Sequence, residues 1–128
     1  MDPKISPSLI LLTYKCKALL MYKSNGPIDE EKHPWCFIGG TKGEKESFEK
    51  AMARRVEKET GVKIEKVEFV SEFCYHARLT DDNVNKIERA ENQLLDFFSL
   101  AESKKLFLST TTTQFISKHG NLINSDLL

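Results

Sequence analysis

Residues Trp35 to Val62 read WCFIGGTKGEKESFEKAMARRVEKETGV. A short aromatic and apolar run ends in Gly39-Gly40, a charged loop follows, and an amphipathic stretch continues to Gly61. Paired glycines let a ligand approach the main chain closely. The spacing predicts a helix that begins near Glu44 to Ser47 and ends at Thr60, with Gly61 as its C-terminal cap. Phe48, Ala51, Met52 and Val56 recur at the spacing of a buried stripe. At about 100° per residue, Arg55 and Glu59 fall near the axis of that stripe and Lys58 on its flank. Their side chains are therefore expected between core and cleft.

Outward from this stretch the chain reads as strands. Ser8 to Tyr14 and Ala18 to Tyr22 are apolar runs joined by Lys15-Cys16-Lys17, a hairpin without the Asn-Gly signal of a tight turn. Ser24 to Pro34 is a loop by its glycine, proline and charge content, and Trp35 to Ile38 is a short strand leading into the glycines. Val67, Phe69, Phe73, Tyr75, Ala77 and Leu79 share a parity, which predicts one long strand with a buried face. Thr80 to Asn92 reads as a loop or a short helical excursion, and Gln93 to Leu100 as a further strand. Thr110 to His119 reads as a helix capped by one of four threonines and burying Phe115 and Ile116. The pattern gives a mixed α/β (α+β) layered domain over residues 1–128, with flexible ends expected at 1–7 and 120–128.

The 128 residues suit one domain with a real core, and 40% hydrophobic with 30% charged content is ordinary for a soluble protein. A formal net charge of +0 gives no general pull toward nucleic acid or an anionic membrane. The apolar block Leu9 to Leu12 is too short to span a bilayer. Cys16, Cys36 and Cys74 are odd in number and form no CxxC pair, so they read as buried thiols in a reducing, cytoplasmic setting. The three histidines are scattered without zinc spacing. Trp35, Tyr75, Phe97 and Phe98 are candidates to stack a base, although aromatic residues in strands more often belong to a core.

The stretch resembles the signature of the Nudix hydrolase family, G-x5-E-x7-R-E-U-x-E-E-x-G-U with U aliphatic. The matching positions are Gly40, Glu46, Arg54, Val56, Glu59, Gly61 and Val62. WCFIGG looks like the family's W-x-x-P-G-G, with Ile38 where proline is usual. Arg55 and Lys58 stand where the family has glutamates. The resemblance implies an αβα sandwich around a mixed sheet, and a hydrolase of nucleoside diphosphates linked to another moiety. In that family, glutamates of the helix hold Mg2+ or Mn2+ on the diphosphate while water attacks phosphorus, because hard cations prefer oxygen ligands.

Carried onto this chain, the resemblance makes Glu59, Gly40, Glu46 and Glu91 candidate metal ligands, and Glu59, Glu91 and Arg54 candidate catalytic residues. Glu88 is the other acid that precedes the aromatic strand. Arg54 would brace the box carboxylates. Glu59 has a second reading, an ion pair with Arg55 one turn earlier. Arg55 and Lys58 replace two negative charges by two positive ones, which repels a metal and suits phosphate oxygens. Two functions follow: a weak or altered metal-dependent hydrolase, or an inactive relative that binds a nucleotide-like phosphorylated ligand or a protein partner. Dimers are common in the family, which leaves a homodimer open here.

Overall fold

Ser8–Tyr14 forms strand β1, and its unbroken apolar run follows from burial on both faces. The computed structural model describes residues 8–23, 34–89 and 93–127. After β1 come β2 (Lys17–Lys23), β3 (Ile38–Gly40), α1 (Phe48–Thr60), β4 (Glu68–Ser71) and β5 (Cys74–Arg78). They are followed by α2 (Asp81–Asn85), β6 (Gln93–Phe98), α3 (Leu100–Ser103), α4 (Thr110–His119) and a 3-10 helix over Gly120–Leu127. The sheet runs in the order β4-β5-β1-β2-β6, with β3 also paired to β1. Because β1 is parallel to β5 and antiparallel to β2 and β3, the sheet is mixed.

Strand alternation divides the core into two layers. Ile10, Leu12, Leu19, Met21, Ile38, Tyr75 and Ala77 face α1, where Ala51, Met52 and Val56 are fully buried. Leu9, Leu11, Leu20, Tyr22, Trp35 and Phe37 face the opposite way, against Phe115, Ile116 and Ile123. The result is an αβα sandwich. Truncating a fully buried side chain such as Met52 to alanine costs about 2–5 kcal/mol.

Ser47 caps α1 by accepting from the Lys50 amide, and Gly61 ends it at φ 77° in the left-handed region that glycine tolerates. Phe48, the first residue of the expected stripe, is instead 37% exposed and stacks on Tyr75 at 6.1 Å. Lys15 and Cys16 form the β1–β2 turn with φ 48° and 62°, a two-residue turn built without glycine. None of the three cysteines is in a disulfide, and each is partly rather than fully buried.

Four elements differ from the sequence reading. The expected long strand is a hairpin, β4 and β5, which turns through Phe73 at φ 66°. Phe69 pairs with Tyr75, an even separation, so odd-numbered residues keep one face on both sides of the turn. The alternation therefore carries no sign of the reversal. The expected strand to Leu100 stops at Phe98, because Ser99 and Glu102 form a capping box that starts α3. Helix α4 is capped by Ser109 and not by a threonine. Thr112 is turned inward, fully buried, where its hydroxyl accepts from the Phe37 amide at 3.0 Å. Finally, the tail expected to be flexible forms the 3-10 helix, anchored by a fully buried Ile123.

The approach to the glycines is held from both sides. Cys36 exchanges backbone hydrogen bonds with Met21 at 2.8 and 2.9 Å, and Trp35 does so with Phe107 and Ser109 at the same distances. Trp35 itself is core, tilted against Tyr22 and edge-on to Phe98. Among the described residues, no helix is long and apolar enough to cross a membrane.

Candidate functional site

The glycines end β3 against two different neighbours. A Cβ on Gly39 would lie 2.2 Å from the Ser8 carbonyl oxygen, so close strand pairing with β1 requires glycine there. A Cβ on Gly40 would lie 2.9 Å from Nε of Arg55. Glycine at this position leaves the path of the Arg55 side chain open.

Helix α1 presents two neighbouring arginines to two different carboxylates. Arg54 reaches back to Glu46, with its terminal nitrogen 2.8 Å from Oε1 and Nε 3.3 Å from Oε2. This is the fork geometry that guanidinium and carboxylate favour. Glu46 also accepts from the Gly43 amide at 2.7 Å, and Arg54 donates to the Thr41 carbonyl at 3.4 Å. Together they close the loop between β3 and α1 onto the helix. The Arg54 hydrogen bond, then the Gly43 amide, hold the Glu46 carboxyl below its ordinary value. The hydrogen bond to Glu46, and its charge, hold the Arg54 guanidinium above its ordinary value.

Arg55 turns the other way, toward the sheet. Its Nε donates to the Gly39 carbonyl at 3.0 Å, and a terminal nitrogen lies 3.8 Å from Oε1 of Glu59. Glu59 is only 5% exposed, as the helical spacing predicts for the stripe axis. Its other oxygen, Oε2, accepts from the Gln93 side-chain amide at 2.7 Å. That amide also contacts the Met21 sulfur at 3.1 Å. A guanidinium on one oxygen and an amide on the other satisfy the buried carboxylate. Lys58, expected with Arg55 and Glu59 between core and cleft, is instead exposed, because it lies on the flank of the buried stripe one turn from Arg55.

Of the expected site residues, Arg55, Glu59 and the Gly39-Gly40 backbone come together. Glu46 and Arg54 form a separate pair, and Gly40 contributes space beside Arg55, whose hydrogen bond goes to the carbonyl of Gly39. Glu91 lies outside the described residues. Glu88 is exposed, and its amide donates to the Thr60 carbonyl at 2.8 Å, docking that segment on the end of α1. Glu57 faces Lys63 at 3.9 Å. Among the described residues, no three His, Cys, Asp or Glu side chains gather into a group that could hold a metal ion.

The sequence reading missed Gln93. Its signal was parity: Gln93, Leu95 and Phe97 alternate on β6, and Leu95 and Phe97 pack on the α1 side of the core. A fully buried amide at the inward register of an apolar strand needs a polar partner, which is Glu59.

A model of the NUDIX domain matches residues 4–113. None of the curated proteins matches the sequence. The fold is similar to that of a mutT/nudix family protein from Listeria innocua, at TM-score 0.68 and 18% identity, covering 99% of this chain and 98% of that one. It is also similar to a MutT NUDIX hydrolase from Burkholderia pseudomallei, at TM-score 0.67 and 17% identity over 88% and 95% of the two chains. A UDP-X diphosphatase is similar at TM-score 0.65 and 14% identity, over 98% of this chain and 66% of that one. At such identities the likeness speaks for the fold, while the sequence match spans most of the chain, from before β1 into α4. The chain belongs to the NUDIX family and is a Nudix-superfamily hydrolase domain.

Proposed function

We propose that this domain binds a nucleoside diphosphate linked to another moiety, gripping the diphosphate with Arg55 and Lys58. One observation carries this reading: two cations sit one helical turn apart on α1, and Arg55 is fixed beside the Gly39-Gly40 backbone. Guanidinium and ammonium groups in such a place match phosphate oxygens. The ligand class accords with the description of one fold neighbour as a diphosphatase of UDP-X.

Members of the family generally use divalent cations, held by carboxylates. The residues described here do not fit such an ion. Arg55 runs beside Gly40 and holds the neighbouring Gly39 carbonyl, the same guanidinium faces Glu59, and Lys58 stands where the family has a glutamate. A divalent ion about 4 Å from a guanidinium would meet repulsion of roughly 8 kcal/mol at an effective dielectric of about 20, before solvent screening. No hydrolytic step is therefore drawn through a metal.

A second reading, weak hydrolysis with Mg2+ or Mn2+, is favoured by Glu59, an acid at a matching box position on α1. In that reading Glu46 and Glu91 would assist it and Arg54 would brace Glu46. A panel of nucleoside diphosphate derivatives, assayed for binding and for hydrolysis with Mg2+, with Mn2+ and with chelator, separates the two. Binding that survives chelator without turnover supports the first. Metal-dependent turnover lost in Glu59→Gln supports the second.

A further inference from the structure

We infer that Arg55 is a tethered cation that takes the place of a divalent metal, its guanidinium set between the Gly39 carbonyl and the buried Glu59 carboxylate, so that the site is assembled without Mg2+ or Mn2+. The inference concerns the same cleft as the proposed ligand and rests on that reading only for what the site is used for.

A carbonyl oxygen and a carboxylate that face one guanidinium form an electronegative pocket that needs a cation. Arg55 supplies one from within the chain, at 3.0 Å from the carbonyl and 3.8 Å from the carboxylate. Its stem passes where any side chain on residue 40 would stand, since a Cβ there would be 3.2 Å from Cδ and 2.9 Å from Nε. The guanidinium is therefore seated in a groove shaped by glycine, with only 25% of its side chain exposed. Gln93 completes the arrangement by binding the Glu59 oxygen that faces away from Arg55. A helix-surface ion pair would need neither the glycine nor the amide.

A guanidinium differs from a metal ion in two ways that bear on this cleft. It cannot be lost to a chelator, and it directs planar N–H donors instead of accepting further oxygen ligands. Arg55 thereby also holds Glu59 and β3 in place.

Binding of Mn2+ alone, followed by electron paramagnetic resonance and calorimetry with no nucleotide present, tests this apart from the ligand reading. Wild type should show no saturable Mn2+ site. Arg55→Glu should gain a one-to-one site that disappears when Glu59→Gln is added. Should Arg55→Glu fail to fold, Arg55→Ala serves instead, removing the cation from between the Gly39 carbonyl and Glu59, and should bind Mn2+ about tenfold or more tightly than wild type. A saturable wild-type site that is lost in Glu59→Gln overturns the inference. So does a folded Arg55→Glu, or Arg55→Ala, whose Mn2+ affinity equals that of wild type.

Discussion

The side-chain amide of Gln93 donates to the carboxylate of Glu59 at 2.7 Å, joining β6 to α1 through the core. Hydrogen bonds to charged groups contribute about 1.5–3 kcal/mol, and a buried carboxylate that loses a donor bears the desolvation cost. Gln93→Leu is thus expected to destabilise the domain by about 2 kcal/mol, despite its apolar surroundings. Urea unfolding reads this directly, and an unchanged midpoint would show that Glu59 does not depend on the amide.

The two glycines of β3 should respond differently to alanine. At Gly39 the new methyl would meet a backbone carbonyl at 2.2 Å, which cannot yield without separating β3 from β1. At Gly40 the three nearest atoms it would meet all belong to the Arg55 side chain. Gly39→Ala is expected to cost about 3 kcal/mol or more, and Gly40→Ala about 1 kcal/mol. The Gly40→Ala cost should shrink when Arg55→Ala is also present, because the clash is with that side chain. Paired unfolding curves for the single and double variants measure the coupling.

The Glu46–Arg54 pair gives a pH dependence. The folded Glu46 carboxyl lies below its ordinary value of 4.5, so its contribution is present above that value and is lost as pH falls through the lower folded one. Acidification should therefore loosen the loop between Thr41 and Ser47. Hydrogen exchange at the Gly43 amide, which donates to Glu46, should lose protection in acid. In Glu46→Gln the protection should be weaker at neutral pH and insensitive to acid.

The β1–β2 turn holds Cys16 at φ 62°, where a residue with a Cβ is strained by roughly 1–2 kcal/mol. Cys16→Gly is expected to stabilise the domain by about 1 kcal/mol, somewhat reduced by the greater freedom of glycine in the unfolded chain. A thermal melt rising by a few degrees checks this.

The sandwich was legible wherever local pattern and tertiary environment agree. The apolar run of β1 spans its residues because both faces are buried, and Gly61 ends α1 because only a left-handed residue closes it there. Where tertiary geometry leaves no local mark, the reading failed. The turn at Phe73 preserves parity across its even pairing, so alternation alone could not reveal it. Thr112 is drawn inward to Phe37, a contact across 75 positions that no local signal encodes, while Ser109 takes the cap of α4. In the candidate site, charge substitution at Arg55 and Lys58 was visible at once. Which carboxylate each arginine would meet was not, since neighbouring helix positions point about 100° apart and only the fold shows what waits in each direction. Gln93 belongs to the same class, a strand residue whose meaning depends on the helix opposite.

The measurement that tests the central claim most directly is calorimetric titration with nucleoside diphosphate derivatives in excess chelator, for wild type and Lys58→Glu. Lys58 is exposed, so its replacement should leave the fold intact. The account predicts saturable binding to wild type that is unaffected by chelator and falls about tenfold or more in Lys58→Glu. Binding that appears only with Mg2+ or Mn2+, and is undiminished in Lys58→Glu, would contradict it.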